Sequence, residues 1–406
     1  MLSFPKLSGS HRRFAISTIF IFFGISSIQF HSVLFEDRGF TGSHFTLLIV
    51  TGAVSALVSP LTMSLLTRFF RQPFTPLQLL LFTSGITLPL LPVIPDLRLL
   101  LLMYFIHTFS MWGLFPLYLA CGMEVYREKG YDIYFFVRSL GTFGFAVGCA
   151  IAAISARGFS FPVLYFGFGI SFLLAFFIIR PFRNFSHLPS KRDADSHVNK
   201  FVLTDFFKLT KWKAMFPFLK DKQFLFLLVP ITIICCANSM AVNIQGNYII
   251  NHFRGTRTTV SIAWLLCSGL EIPIMFFCIY LLRKWSLTAV LFFGVLGTCI
   301  RLTGMSYSPT IGFFFLSIAL HGFYYAGVAT GMGVCIDRTN WKHRAALQPL
   351  LTVIYSGIPN VTGAFLSGYI WEHYSLSAVY QVSLVLSWIG LILIIFLFPG
   401  LIRRFR

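Results

Sequence analysis

Charged side chains are scarce in this sequence. Asp and Glu account for only 13 of its 406 residues, and all charged residues together for 11%. Soluble globular domains contain about 25% charged residues, so this chain has too few to cover a water-soluble surface. The hydrophobic content of 56% and the mean hydropathy of +0.79 instead indicate an integral membrane protein.

Several motifs that carry chemistry are also absent. The sequence has no Gly-x-x-x-x-Gly-Lys-Ser/Thr phosphate loop, no Gly-x-Ser-x-Gly elbow and no His-Glu-x-x-His pair. Its eight cysteines show no metal-ligand spacing, and the adjacent Cys235 and Cys236 have poor geometry for a disulfide. We therefore expect no enzyme activity, no cofactor and no bound metal.

Long apolar runs dominate the sequence. Each is close to the ~20 residues that a helix needs to cross the hydrocarbon core. Twelve such spans are predicted, near residues 14–34, 43–66, 76–94, 99–122, 134–156, 159–179, 223–250, 258–282, 286–305, 310–334, 345–368 and 375–399. The predicted fold class is an all-α polytopic membrane protein with twelve transmembrane helices.

The net charge of +19 is distributed unevenly between the two sides of the membrane. Of the 32 Lys and Arg residues, 25 lie on the side of the N-terminus and 5 on the other, while Arg138 and Arg301 lie within spans. By the positive-inside rule, both termini are cytoplasmic and the protein is expected in the cell inner membrane. The alternative, a basic surface for a nucleic-acid polymer, is not favoured by this distribution.

The longest polar stretch divides the spans into two sets of six. We predict an N-terminal six-helix bundle at 1–180, a cytoplasmic central linker at 181–222 and a C-terminal six-helix bundle at 223–406. The halves are weakly similar, since a proline, an apolar run and paired basic residues follow in corresponding places. This is the organisation of the major facilitator transporters, whose two pseudo-symmetric halves rock about a site near the midplane.

Polar residues inside the spans are the candidate binding groups. Arg138, Thr142 and Phe145 share one face of span five, although Arg138 in its position is also typical of an anchor to lipid phosphates. Span seven contains Asn243 and Asn247 on one face, with Gln245 pointing away. Amides suit neutral polar solutes, and the alternative is hydrogen bonding between helices.

Titratable residues lie in spans eight and ten. Glu271 is near the centre of span eight, where a carboxylate costs roughly 3 kcal/mol to insert and usually has a task. It is a candidate for proton exchange, with a structural salt bridge as the alternative. His321, Tyr324 and Tyr325 share a face of span ten, where His321 either binds and titrates or serves only in packing.

Five motifs, taken in order, resemble the nucleoside:proton symporters of the major facilitator superfamily. They are "VSPLTMSLLTRFF", "FPLYLA", "VRSLGTFGF", "GLEIP" and "VCIDRTNWKHRAALQ". The 3-phenylpropionate permeases and the lactose permease are similar neighbours. The chain departs from the nucleoside family at Ala326, where the family has an acid, and in "NIQGN" and "LLTRFF".

The resemblance implies roles for individual residues. Arg138, Thr142 and Phe145 would line a nucleoside site, and Glu271 would take part in binding or proton coupling. Tyr325 would match the aromatic residue of span ten, with His321 in place of a tyrosine. Glu124, near the end of span four, is similar to the acid that pairs with the span-five arginine in the lactose permease.

These observations predict a proton-coupled symporter of a small polar organic solute, with a nucleoside as the first candidate. The alternatives are an aromatic acid or sugar symporter and, from another class, a non-transporting membrane sensor. The expected partners are the solute, protons and the lipid bilayer, with the protein as a monomer. The predicted substrate-binding residues are Arg138, Thr142, Phe145, Asn243, Gln245, Asn247, His321 and Tyr325. The predicted proton-coupling residues are Glu271, His321 and Glu124.

Overall fold

The structure, a computed structural model, is helical throughout the part of the chain that it describes. The described residues are 9–31, 34–35, 38–39, 43–70, 73–126, 129, 131–155, 161–184, 222–338 and 351–405. Most of the predicted linker at 181–222 lies outside them. No strand occurs among the described residues, and their helical segments form twelve successive units, ten of which contain a segment long and apolar enough to cross a membrane. The predicted fold class is confirmed.

The first half contains six helices. They are α1 (Gly9–Ile25, continued by a 3₁₀ turn at Ser26–Phe30), α2 (Ser43–Phe69), α3 (Phe74–Leu90), α4 (Leu97–Tyr126), α5 (Tyr131–Ser155) and α6 (Phe161–Ile179). All except α3 contain a segment long and apolar enough to cross a bilayer by itself. The α3 helix has 17 residues and is apolar along its length.

The second half also contains six helical units. They are α7 (Lys222–Asn243, continued by Gln245–Asn251), α8 (Arg257–Lys284), α9 (Leu287–Ser306), α10 (Ile311–Ile318, continued through Phe323–Ala329 to Thr330–Asp337), α11 (Val353–Gly357 and Ile358–His373) and α12 (Leu376–Phe405). Polar caps define several starts, as at α8, where the Thr256 hydroxyl accepts from the Thr259 amide at 3.3 Å.

The helices pack as two bundles joined along a seam. In the first half α1 packs on α5 and α6, and α3 packs on α4 and α6. In the second half α7 packs on α11 and α12, and α9 packs on α10 and α12. The halves meet mainly where α5 lies along α8, with a smaller contact between α2 and α11. The α5–α8 contact therefore brings the polar residues of spans five and eight together.

Three of the helices in the second half are irregular: α11 begins with a π-helical segment at Val353–Gly357, and α7 and α10 are irregular near residues predicted for the site. The α7 helix is interrupted at Ile244, and a new helix begins at Gln245. In α10, residues Phe323–Ala329 form a π-helical segment, a conformation that is rare and often found at functional sites. The irregularities of α7 and α10 change which side chains share a face, so they matter for the site.

Candidate functional site: a buried charged cluster between the two halves

The glycine face of α5 fixes how this helix packs on α1. A Cβ atom at Gly141 would lie 2.6 Å from the Phe22 ring, and one at Gly144 would lie 2.9 Å from the carbonyl carbon of Ile19. No larger residue fits at either position without moving α1, as expected for close helix packing in a membrane. Because this face is held by α1, the opposite face of α5 is presented to α8.

The side chains of Arg138, Thr142 and Glu271 form one connected cluster across the seam. The Arg138 Nη1 donates to the Thr142 Oγ1 at 3.0 Å, and that hydroxyl donates to Glu271 Oε1 at 2.9 Å. The Arg138 Nη2 lies 3.4 Å from the same carboxylate oxygen. The structure thus joins the arginine and threonine predicted on α5 to the acid predicted on α8.

The cluster is shielded from solvent by the protein itself. Arg138 is 3% exposed and Glu271 6% exposed, and Thr142 is buried. The guanidinium carbon of Arg138 lies 4.2 Å from the centroid of the Phe22 ring, a favourable cation–π contact. Two opposite charges buried in this way depend on each other, because removal of either leaves an uncompensated charge in an apolar environment. Arg138 is therefore a buried partner of Glu271 rather than a surface anchor.

Helix α10 approaches the Glu271 backbone closely. A Cβ atom at Gly322 would lie 2.7 Å from the Cα atom of Glu271, so only glycine fits there. Pro273, two residues after Glu271, lies inside α8 and cannot donate to the Gly269 carbonyl. Glu271 thus lies where α8 lacks the backbone hydrogen bond to the Gly269 carbonyl. At the same place α8 is in close contact with α10 through Gly322.

His321 and Tyr325 form an aromatic group next to the cluster. The His321 ring is buried, with its centroid 4.9 Å from that of Tyr325 and 5.7 Å from that of Trp264. The half-buried Tyr325 interacts electrostatically with both Arg138 and Glu271. The two residues predicted on span ten therefore lie beside the charged pair.

The three amides of span seven are not equivalent in the structure. Gln245 is fully buried, Asn247 is half-buried and Asn243 is exposed. The Asn243 amide donates to the Ser239 hydroxyl of its own helix at 3.3 Å. Because α7 is interrupted at Ile244, the spacing of a continuous helix does not apply across these residues. No hydrogen bond links any of the three to the Arg138–Glu271 pair in the described part of the chain.

The remaining predicted residues are Phe145 on α5 and Glu124 on α4. Phe145, half-buried on α5, packs against the hydrophobic cores of both halves. Glu124 is half-buried on α4 and interacts electrostatically with Cys121. Among the described residues, no group of three or more His, Cys, Asp or Glu side chains is placed to hold a metal ion.

Two contributors to this region were not predicted from the sequence. Phe22 on α1 covers the Arg138 guanidinium, but nothing distinguishes it in sequence from the chain's 49 phenylalanines. Arg301 on α9 is fully buried, and its Nη1 donates to the Asn238 Oδ1 at 2.8 Å. Its position inside a predicted span was a usable signal, because a charge at that depth usually has a function.

The arrangement has a definite chemical capability. The ionised Arg138–Glu271 pair is neutral as a whole and bridges the two halves. Addition of a proton to Glu271 would remove the negative member of this pair and weaken the contact across the seam. The cluster can therefore link protonation to the relative position of the halves, which is the property that alternating access requires.

Known proteins share this architecture. A family model described as the MFS_1 like family matches residues 11–382. A crystal structure of a mutant of the nucleoside transporter NupG superposes with a TM-score of 0.69, covering 95% of this chain and 99% of that one at 16% identity. A second crystal structure of NupG gives a TM-score of 0.65 over 98% and 100% of the two chains at 14% identity. These structures show the shared fold.

One curated relative matches a shorter stretch. The maltose permease of Geobacillus stearothermophilus is 22% identical over 183 residues, which is 44% of this chain and 45% of the permease. The chain thus matches less than half of that relative's length. The family model, in contrast, covers most of the chain and includes both halves of the charged cluster. This protein belongs to the MFS_1 like family, and its fold is that of the major facilitator superfamily.

Proposed function

We propose that this protein is a proton-coupled symporter that carries a small polar organic solute, with a nucleoside as the first candidate. The observation that carries the proposal is the Arg138–Thr142–Glu271 cluster, because it connects α5 of one half to α8 of the other through a titratable group. In alternating access the two halves rock against each other, so a bond across their seam is remade in each cycle.

Glu271 is the proposed proton carrier. While it is ionised, it is held by Arg138 and Thr142, and the seam between α5 and α8 is closed. Protonation neutralises Glu271 and leaves Arg138 free to hydrogen-bond the solute. Reorientation then carries the proton and the solute together. His321, buried within contact distance of Tyr325, is the second candidate for a coupling role, and Glu124 is the third.

The proposed solute site lies next to this pair. A ring of the solute would stack on Phe145 or Tyr325, while Arg138, Thr142, His321 and the amides Asn243, Gln245 and Asn247 would bind its polar edges. The similarity to the nucleoside transporter NupG supports a nucleoside. A sugar is the second solute class to test, because a relative of this chain is named as a maltose permease.

The membrane arrangement is part of the proposal. The excess of Lys and Arg on the side of the N-terminus supports a location in the cytoplasmic membrane with both termini in the cytoplasm. We further propose that the monomer is the transporting unit and that the two bundles, 1–180 and 223–406, move as the two halves. Reporter fusions after Lys191 and Arg406 should both report the cytoplasmic side.

The test uses the purified protein in proteoliposomes with radiolabelled nucleosides, sugars and aromatic acids, with and without a proton gradient. Glu271→Gln keeps the shape of the side chain but cannot exchange a proton. We expect this variant to exchange solute between the two sides but to fail to accumulate it against a gradient. Glu372→Gln, the same change at an exposed position on α11, should accumulate solute normally.

Two results would separate the parts of the proposal. Accumulation at the wild-type level by a folded Glu271→Gln protein would exclude the coupling role of Glu271, and His321→Asn would be the next variant. Proton-driven uptake of a sugar or an acid without uptake of any nucleoside would exclude the nucleoside and leave the symport mechanism standing.

A further inference from the structure

A second buried polar cluster lies in the C-terminal half around Arg301 of α9. The Arg301 side chain is fully buried, and its Nη1 donates to the Asn238 Oδ1. Its Nε and Nη2 atoms have no hydrogen-bond partner among the described residues. Two of the three nitrogens of this guanidinium are thus unused at a position that water does not reach.

The polar neighbours of Arg301 are also incompletely bonded. Gln245 of α7 is fully buried, and its amide has no hydrogen-bond partner among the described residues other than the Cys267 thiol, which also interacts electrostatically with Arg301. His321 of α10 is buried with both ring nitrogens unbonded, and it interacts electrostatically with Arg301. We call Arg301, Asn238, Gln245 and His321 the Arg301 cluster.

No acidic side chain balances the charge of Arg301 among the residues that the structure describes. No ion pair to Arg301 occurs in the described part of the chain, and the one acid in the middle of a span, Glu271, is bonded to Arg138. An uncompensated charge inside a protein is costly, so buried cations are normally paired with an anion. Since no described residue supplies this anion, an anion bound from outside would satisfy Arg301.

The geometry of the unused nitrogens selects the kind of anion. Nε and Nη2 lie on one edge of the guanidinium, where their N–H bonds run parallel. This edge binds both oxygens of a carboxylate, each through one N–H bond. His321, which interacts electrostatically with Arg301, can supply a further donor through the protonated nitrogen of its ring. Tyr325 interacts electrostatically with Arg301 as well as with the Arg138–Glu271 pair, so this edge adjoins the proposed solute site.

We propose that the Arg301 cluster binds a carboxylate group. Two sources supply such a group: an acidic solute, or a free small carboxylate anion that binds beside a neutral solute. The first source rests on the proposed transport function and makes the substrate a ring acid rather than a neutral nucleoside. The second source is independent of which solute is carried.

The test measures thermal unfolding of the purified full-length protein at increasing concentrations of sodium formate, sodium benzoate, benzamide and sodium chloride. A ligand that binds only the folded protein raises the unfolding temperature with concentration. We expect formate or benzoate to do so and benzamide, which has no charge, to have no effect. A chloride effect equal to that of formate would overturn the assignment, because chloride cannot occupy the guanidinium edge with two oxygens.

The decisive variant is Arg301→Met. The apparent Kd for the carboxylate should weaken by about tenfold to a hundredfold, the range expected for loss of charged hydrogen bonds. Without ligand this variant should unfold no earlier than the wild type, because it removes an unbalanced buried charge. The exposed Arg98→Met provides the matched control and should keep the full response to carboxylates. An unchanged response in Arg301→Met, or no response to any carboxylate in the wild type, would overturn the proposal.

The source of the carboxylate follows from uptake in proteoliposomes. Transport of a labelled ring acid that formate inhibits identifies the solute as the source. Uptake of a neutral solute that requires formate identifies a free anion. Since unfolding of the purified protein is measured without transport, a failure of the carboxylate proposal is distinct from a failure of proton coupling through Glu271.

Discussion

Arg138 and Arg301 are both buried arginines within transmembrane helices, but their surroundings differ. Arg138 has a carboxylate, a hydroxyl and an aromatic ring as partners, and these come from three helices in both halves. Arg301 has one amide oxygen from α7 and, in the part of the chain that the structure describes, no acid. The protein therefore supplies charge and hydrogen-bond partners to the arginine at the seam. The arginine inside the C-terminal half lacks hydrogen-bond partners for two of its nitrogens among the described residues.

The difference separates two kinds of buried charge. The charge at the seam is balanced by the other half of the protein, so it holds the two halves together and changes when they move. The charge inside one half has no partner across the seam, and no described residue provides it with an acid. Substitutions at these positions should therefore have different effects on stability.

The largest effect is expected for Arg138→Met. This change leaves the Glu271 carboxylate buried without its partner, which should cost about 3–5 kcal/mol of stability. Arg301→Met, measured beside it by thermal unfolding, should cost little or nothing. The double variant Arg138→Met, Glu271→Met should recover most of the loss. Equal destabilisation by Arg138→Met and Arg301→Met would contradict the view that only Arg138 is stabilised by an acidic partner.

A smaller effect is expected where α10 meets α8. Gly322→Ala would place a methyl group 2.7 Å from the Glu271 Cα atom and force the two helices apart. Overpacking of this kind should cost about 1–3 kcal/mol and reduce the rate of uptake. Gly269→Ala is the control on the same helix as Glu271, because nothing lies within 4 Å of the added atom.

The Gly322 variant also tests whether the seam and the Arg301 cluster respond together. His321, next to Gly322, belongs to the Arg301 cluster, so displacement of α10 should weaken carboxylate binding as well as disturb Glu271. An uptake defect in Gly322→Ala with unchanged carboxylate protection would show that the two regions are independent.

The smallest effect is expected for Tyr131→Phe at the proposed cytoplasmic end of the seam. The Tyr131 hydroxyl donates to the Asp337 Oδ2 at 2.7 Å and so links the start of α5 to the end of α10. Its loss should cost about 0.5–1.5 kcal/mol, measured by thermal unfolding. If Tyr131→Phe lost as much stability as Arg138→Met, the Tyr131–Asp337 hydrogen bond would be as important a link between the halves as the Arg138–Glu271 pair.

The sequence was sufficient to predict the fold because hydropathy and charge asymmetry depend on the bilayer rather than on tertiary contacts. It also placed Arg138 and Thr142 on one face of α5, because this helix is regular around them. The joint role of Asn243 and Asn247 stays a prediction. Its premise, a continuous helix, fails at Ile244, where the backbone leaves the helix for one residue.

Whether Arg301 has hydrogen-bond and charge partners was not predictable from the sequence. A basic residue inside a span signals a function, but whether it has a partner depends on how α7, α9 and α10 pack. The π-helical segment of α10 is another such case, since no residue pattern in "GFYYAGVA" indicates it. Local spacing describes single helices, whereas these features arise between helices.

The threonine between Arg138 and Glu271 has one further consequence. The Thr142 hydroxyl has a single proton, and it directs this proton to Glu271 while it accepts from Arg138. The hydrogen bonds thus run in one direction, from arginine to carboxylate. Once the bonded carboxylate oxygen carries a proton of its own, two donors face each other, and the hydroxyl has to rotate its proton away. Protonation of Glu271 would therefore rotate the Thr142 hydroxyl about its C–O bond. This rotation would change the hydrogen bond that Arg138 donates to the hydroxyl, although Arg138 and Glu271 belong to different halves of the protein.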